Sequence, residues 1–215
     1  GDDIFVVNGT QNGDDTIDGG TGYDQLLGTA GDDVMRIATF TNVEHIDLGA
    51  GNNTIIVDGG TTLNLSSFAA GAVLNVTLTD DNSIETIYGS QGDDVFRTIA
   101  DGHSDILYGE DGADTFMFNV GQTVADTISD FDVVEGDKID ISDIISYDSN
   151  LGDLISDFVQ LVADADGDPA NGLGNVTLLV DVDGNANGSS FQSFAIFDDQ
   201  GETLADLINN GHLVL

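Results

Sequence analysis

Apolar residues return along this chain in short, evenly spaced runs rather than in long stripes. In "GDDTIDGGTGYDQLLGTAGDDVMR" (residues 13–36) they fall at Ile17, Leu26 and Met35, each two residues after an aspartate: Asp15, Asp24 and Asp33. A glycine stands two residues before each of those aspartates, at Gly13, Gly22 and Gly31. The resulting period of nine residues belongs neither to a helical face nor to a simple strand. It predicts a tight Gly-rich turn followed by a very short strand with one inward apolar side chain, glycine supplying the positive φ of the turn. Two such units make a coil of about 18 residues, and each strand stacks on the next coil at about 4.8 Å. Turns then alternate between two edges, with Asp15 and Asp33 on one and Asp24 on the other.

Residues 37–88 lose the aspartates but keep the texture of strands. "TTLNLSS" and "AVLNVTLTD" alternate apolar and polar positions with period two, as half-buried strands do. The simplest expectation is a solenoid that continues through ion-poor coils. The rival is an inserted module for sugar or ice, which the irregular threonine spacing disfavours. His45 is expected to pack beside the solenoid, with no second His or Cys near it in the sequence.

Charge changes the picture. The chain has 215 residues, 40 Asp plus Glu against 3 Lys plus Arg, and a formal net charge of −37. A compact chain of that charge repels itself. An acidic disordered tail is the plain alternative, but 40% of the residues are hydrophobic and recur on schedule. Arg36, Arg97 and Lys138 cannot neutralise the fold, so external cations are implied. Without a basic footprint, nucleic acid is excluded as a partner, and an anionic membrane surface is disfavoured. No apolar stretch is long enough to span a bilayer. The chain has no cysteine, which removes disulfides and thiolate chemistry. Its start, "GDDIFVVNGT", lacks the features of a signal peptide and falls inside a repeat, so the expectation is a piece of something longer. Stacked carboxylates one coil apart, with turn carbonyls around them, make an oxygen-only cage of the kind that selects Ca²⁺.

These residues resemble the nonapeptide G-G-x-G-x-D-x-U-x of RTX proteins. "GGTGYDQLL" at 19–27 matches it in full, while "GSQGDDVFR" at 89–97 and "GEDGADTFM" at 109–117 lack only the second glycine. The resemblance implies a parallel β-roll, a mostly-β solenoid with several Ca²⁺ ions in its turns. Carried over position by position, it implies side-chain ligands at Asp15, Asp24, Asp33, Asp94, Asp105 and Asp114. Carbonyl ligands would come from turn residues such as Gly13, Gly19, Gly22, Gly31, Gly89, Gly92, Gly109 and Gly112. "DGHSDILY" departs from the pattern before Asp105, and "GAGNNTIIV" puts Asn53 at the aspartate position, removing a charge there.

Farther on, "ADTISDFDVVEGDKIDISDII" (125–145) resembles the segment that closes the roll in proteins with a type I secretion C-terminal target domain. The resemblance rests on Asp130-Phe131, Asp137, Ile139, Asp140 and the Ser142-Asp143 pair, with a spacer one residue longer. Asp126 repeats the D-T-I/F pattern of Asp15 and Asp114 and counts as a further ligand. Beyond it the pattern predicts a helix near 151–157 and strands near 158–163, 176–181 and 191–197. A helix near 203–210 follows, capped by Thr203 and stopped by Gly211, then a last strand in "HLVL". Such an α+β cap is what the open end of a solenoid needs. Two loops, "DADGDPANG" (164–172) and "DVDGNANGS" (181–189), alternate Asp and Asn oxygens around a glycine. Asp164, Asp166, Asp168, Asp181 and Asp183 there are either Ca²⁺ ligands or parts of plain turns.

The organisation read from this is a first repeat block at 1–36, ion-poor coils at 37–88, a second block at 89–133 and a cap with an export signal at 134–215. No H-E-x-x-H or G-x-S-x-G occurs, and the three histidines lie far apart, so the chain is not expected to be an enzyme. The resemblance implies a Ca²⁺-dependent folding and type I secretion module of a large secreted or surface-displayed bacterial protein, an adhesin. Its expected partner is the type I export machinery, with no membrane insertion, a monomeric state and any host-surface ligand bound elsewhere in the full protein. The alternatives are an accessory module of a secreted polysaccharide-modifying enzyme and a carbohydrate- or ice-binding solenoid.

Overall fold

The short apolar runs pair in parallel from one coil to the next and build a β-solenoid. The computed structural model describes residues 1–50, 53–57, 62–66, 75–78, 84–98, 102–148, 152–163, 175–184, 190–198 and 200–215. One face is an eight-stranded parallel sheet of β2 (Thr10–Asp18), β4 (Val34–Thr41), β6 (Thr54–Val57), β8 (Asn75–Leu78), β10 (Val95–Arg97), β12 (Thr115–Met117), β14 (Lys138–Asp140) and β18 (Leu213–Val214). The opposite face is split. β1 (Ile4–Val6), β3 (Gln25–Leu27) and β5 (His45–Asp47) form one sheet. The other joins β7 (Thr62–Asn64), β9 (Thr86–Tyr88), β11 (Ile106–Tyr108) and β13 (Asp126–Ile128) to β17 (Gln192–Asp198), β16 (Asn175–Val180) and β15 (Val159–Ala163). The pairing β4–β6–β8–β10 carries the solenoid through the aspartate-poor middle, as its alternating pattern predicts.

The register corrects the expected coil length. Glu85 and Asp105, like Asp94 and Asp114, stand 20 residues apart at equivalent positions of neighbouring coils, whereas two nonapeptides would give about 18. The nonapeptide builds one half of a coil, as from Asp105 to Asp114; the other half takes eleven residues, as from Asp94 to Asp105. Parallel pairing requires each coil to close at a common height, so strand register, not nonapeptide spacing, sets the pitch. The first coil is longer still. Thr10 pairs Val34, and β2 shifts register between Thr10 and Asp14 and again between Asp15 and Thr16.

The short strands turn one side chain inward, usually the second residue and in β13 the last. Leu26, Met35, Ile55, Leu63, Ile87, Phe96, Leu107, Phe116, Ile128 and Ile139 thereby line a buried interior. Full burial of one such side chain is worth about 1.5–3 kcal/mol. Phe96 and Phe116, one coil apart, stack with ring centroids 4.9 Å apart, and Tyr88 and Tyr108 do the same on the flanking positions at 4.4 Å. Parallel pairing puts identical residue types above one another, which explains these ladders.

The far end of the solenoid is closed on both faces. β17 adds to β13 in parallel, with Asp126 opposite Ala195, and carries the antiparallel strands β16 and β15. β18 adds to β14, with Ile139 opposite Leu213. Between them, α1 (Leu204–Asn210) starts at a Thr203–Asp206 capping box and stops at Gly211, left-handed at φ 81°. Ile155–Asp157 forms a 3-10 turn in place of the longer helix that the pattern predicts. Phe194 meets Phe118 edge-on at 6.4 Å and Phe197 meets Phe131 at 5.0 Å, so the apolar interior runs from roll to cap without a break.

Candidate metal centre

The residues that matter, acidic except for Asn53, stand at strand entrances, immediately before the strand or, for Asp126, at its first residue. On one edge they are Asp3, Asp24 and Glu44, then Glu85, Asp105 and Asp126. On the other they are Asp33 and Asn53, then Asp94, Asp114 and Asp137. Asp24, Asp33, Asp94, Asp105, Asp114, Asp126, Asp137 and Glu85 are each 1% exposed or less.

Hydrogen bonds tie these positions into two ladders. In each, a side chain accepts the backbone N–H of its counterpart one coil earlier. Asp24 accepts from Asp3 at 2.6 Å, and Glu44 from Asp24 at 2.7 Å. Asp105 accepts from Glu85 at 2.9 Å, and Asp126 from Asp105 at 3.1 Å. On the other edge Asn53 accepts from Asp33 at 3.0 Å, Asp114 from Asp94 at 2.7 Å and Asp137 from Asp114 at 2.9 Å. A carboxylate acceptor makes such a bond short and strong. Asn53 preserves the rung but not its charge.

The repeated geometry of the turns has a steric cause. The glycine five residues before an aspartate forms the wall of its carboxylate. A Cβ on Gly89 would lie 2.8 Å from Asp94 Oδ2, and one on Gly19 would lie 2.6 Å from Asp24 Cβ. Gly109 packs against Asp114 Oδ2 in the same way. Gly22 and Gly112, at φ 141° and 134°, press on the turn of the previous coil, Gly112 on the Gly92 carbonyl. Gly31 has open space around it and Gly13 only an ordinary contact with Asp15, so neither walls a buried carboxylate.

Burying carboxylates is costly. Burial pushes Asp114 up to about 8, with the charges of Asp137, Asp94 and Asp130 adding to it and the Asp94 N–H opposing. Burial likewise raises Asp137 to about 6, and raises Asp130 although the N–H groups of Glu110 and Gly109 bond to it at 2.9 and 2.8 Å. Asp33 goes the other way: the Thr29 N–H at 2.6 Å holds it below the usual range, helped by the Gly9 N–H.

Two buried oxygens, Asp24 Oδ2 and Asp114 Oδ2, have no hydrogen-bond partner among the described residues. A buried carboxylate oxygen in that condition needs a proton or a cation. Among the described residues no three acidic or histidine side chains converge on one point. An ion on this scaffold would therefore draw on one or two carboxylates and on turn carbonyls. All of these are hard oxygen donors that suit Ca²⁺. The residues fit the ion.

Not every expected ligand belongs to the ladders. Asp15 is exposed in the middle of β2, opposite Ile37, and Gly9 takes the rung below Asp33, 24 residues away. The expected pairing of Asp15 with Asp33 is thus corrected, because β2 is too long to place Asp15 at a strand entrance. Asp126 is on its ladder, but its second oxygen accepts from Gln122 Nε2 at 2.7 Å. Asp181 is buried and closes its loop by accepting the Ser190 N–H at 2.7 Å, while Asp183 is exposed. Asp164, Asp166 and Asp168 lie outside the described residues.

Glu44, Glu85 and Asp137 are ladder members that the nonapeptide pattern misses, although the sequence carries a signal for them. Each precedes a strand whose inward aliphatic comes two residues later, at Ile46, Ile87 and Ile139. The preceding glycines differ from the nonapeptide, and at Glu44 and Glu85 a glutamate replaces the aspartate. Asp130 has no such signal and is brought in by the turn that follows β13.

Comparison with known families places the same segments. The family model of the RTX calcium-binding nonapeptide repeat (4 copies) matches residues 10–36, 80–98 and 99–123. Asp126, Asp130 and Asp137 lie beyond the matched residues. A search of the curated proteins finds no match. No helix among the described residues is long and apolar enough to cross a membrane.

Proposed function

For a chain that carries RTX calcium-binding nonapeptide repeats folded as a β-solenoid, we propose a calcium-gated folding module of a secreted bacterial protein, exported by a type I system. The observation that carries this reading is the pair of buried, unpartnered oxygens of Asp24 and Asp114 in a chain of net charge −37. Without a cation the charges of the ladders repel one another and oppose the stacking of the coils. Extracellular calcium modules bind with a Kd of about 10⁻⁴–10⁻³ M, above the range of cytosolic sensors. A tenfold excess of ion over Kd adds roughly 1.4 kcal/mol per site. Several coupled sites then match the whole stability of a domain, about 5–15 kcal/mol. Asp24, Asp33, Asp94, Asp105 and Asp114 would hold the ions with the carbonyls of their turns. The chain stays extended where Ca²⁺ is scarce and folds where it is abundant.

The export assignment rests on the segment 130–143, whose Asp137 closes one ladder under the cap. The passenger is read as a surface adhesin. Within this chain the function is physical rather than catalytic, its partner is the export machinery, and it works as a monomer. Circular dichroism in excess chelator at pH 8.5 tests the gate: most β-structure is lost and millimolar Ca²⁺ restores it cooperatively. A spectrum indifferent to chelator overturns the reading. A passenger fused ahead of residues 125–215 leaves cells that have a type I exporter, and deleting "NNGHLVL" stops it; secretion of the truncated fusion overturns the export assignment.

A further inference from the structure

Asp126 ends its ladder, and its surroundings differ from those of aspartates on the opposite ladder. Upstream, the residue four positions before an aspartate gives its backbone N–H to the second carboxylate oxygen: Thr29 to Asp33 and Ser90 to Asp94, both at 2.6 Å. At Asp126 that residue is Gln122, and it uses its side chain. Nε2 donates to Asp126 Oδ2 at 2.7 Å and reaches the Phe194 carbonyl at 3.4 Å, while Oε1 accepts from Thr98 Oγ1 at 3.3 Å. Gln122 is 2% exposed, Asp126 1%, and Thr98 and Phe194 are fully buried.

The partners of this one amide come from three places. Asp126 begins β13, Thr98 follows β10, and Phe194 lies on β17, the cap strand that pairs with β13 beside Ala195. The two amide protons have two acceptors, one on the roll and one on the cap, and the amide oxygen has a donor. Both donors and the acceptor are used, which is the condition for a buried polar network to hold its parts in place.

We infer that Gln122 is a lock between roll and cap, and that its amide gives Asp126 the partner a cation would otherwise supply. Asp126 is then a docking residue for the cap, not a calcium ligand. The joint holds by hydrogen bonds that do not depend on Ca²⁺. This rests on the reading that the other ladder aspartates take ions.

Calorimetric titration of the full chain with Ca²⁺ counts the ions bound to Asp126→Asn, with Asp24→Asn and Asp114→Asn, whose second oxygens have no partner among the described residues, as controls. Hydrogen exchange of β17 amides at saturating Ca²⁺ follows the joint in Gln122→Ala. Asp126→Asn keeps the full ion count while each control loses at least one, and Gln122→Ala speeds β17 exchange at least tenfold. Loss of an ion in Asp126→Asn overturns the inference, as does β17 exchange at the original rate in Gln122→Ala. If neither control loses an ion, the calcium reading of the ladders fails instead. The exchange measurement then still decides the lock.

Discussion

"GGTGYDQLL" at 19–27 and "GEDGADTFM" at 109–117 share the Gly, Gly and Asp positions of one nonapeptide pattern, yet their blocks stand in different surroundings. Around the second, every strand has a paired neighbour on both sides, Phe96 stacks on Phe116, and the buried acids run Asp94–Asp114–Asp137 without interruption. Around the first, β1 and β2 are edge strands, Ile4 and Val6 are 60% and 66% exposed, and Asp15 stands apart from the ladder. A cavity of about 250 Å³ opens there, lined by Phe5, Ile17, Leu26 and Met35 among others. The nonapeptide is therefore not an autonomous unit. A coil's aspartate is placed by the coil stacked on it, as one-dimensional repeat energetics require.

Core truncation exposes this contrast most strongly. Phe116→Ala removes a fully buried ring from a stack and leaves a cavity between two occupied coils, at a cost of about 3–5 kcal/mol. Met35→Ala enlarges a cavity that already exists, and costs about 2 kcal/mol, the low end for such changes. Denaturant unfolding in saturating Ca²⁺ measures both. Equal losses would mean that the first block is as tightly stacked as the second.

Acid separates the blocks by sign. Asp114 in the metal-free fold sits at about 8 and Asp137 at about 6, above the unfolded value near 3.8, so the folded second block binds more protons than the unfolded chain between pH 8 and pH 4. Its metal-free stability rises as pH falls through that window, by up to a few kcal/mol, since an extra bound proton is worth about 1.4 kcal/mol for each pH step it spans. Asp33 is lowered, so its contribution is present at neutral pH and is lost as pH falls below about 4. In chelator, circular dichroism at pH 5.5 shows more β-structure than at pH 8.5, and Asp114→Asn reduces the difference. Calcium binding near pH 7 releases protons from the second block, read by calorimetry in buffers of different ionisation enthalpy. A spectrum that loses structure on acidification from 8.5 to 5.5 contradicts the assignment.

How much of this is legible in the sequence follows the range of each interaction. Strands, turns and the cap elements are readable because they depend on local chemistry: alternation, Gly turns, Thr203 at the start of α1 and Gly211 at its end. The solenoid class and the ladder positions of Asp24, Asp33, Asp94 and Asp114 also follow from spacing within one unit. Pitch does not, because it is decided by pairs 20 residues apart. A ruler of nine residues sees one half-coil and extrapolates it to the other. For the same reason that ruler passes over Glu44 and Glu85, and the amide of Gln122, facing a cap strand 72 residues away, has no sequence signal.

Glycine substitution probes the turns at intermediate size. At Gly109 a methyl group collides with the Asp114 carboxylate, so Gly109→Ala costs about 1–3 kcal/mol and raises the Ca²⁺ concentration needed for folding. Gly31 has no heavy atom near its missing Cβ, so Gly31→Ala stays within about 0.5 kcal/mol. Both stand in nonapeptide turns, and equal effects would mean that Gly109 is no more a wall for its carboxylate than Gly31 is.

The smallest expected effect is the most direct test of register. Spacing alone puts Asp15 and Asp33 on one edge as equivalent ligands. In the fold Asp33 is 1% exposed and accepts from Thr29 and Gly9, whereas Asp15 is exposed on β2. Asp33→Asn removes a charged acceptor from buried N–H groups and costs about 1–3 kcal/mol. Asp15→Asn removes one charge from a solvated surface that carries many, and its effect stays within about 0.5 kcal/mol. Folding midpoints in a Ca²⁺ titration separate the two variants. Should Asp15→Asn raise the midpoint as far as Asp33→Asn, then the first coil closes after 18 residues, Asp15 occupies the rung now held by Gly9, and the long, twice-shifted β2 is not the working state of that edge.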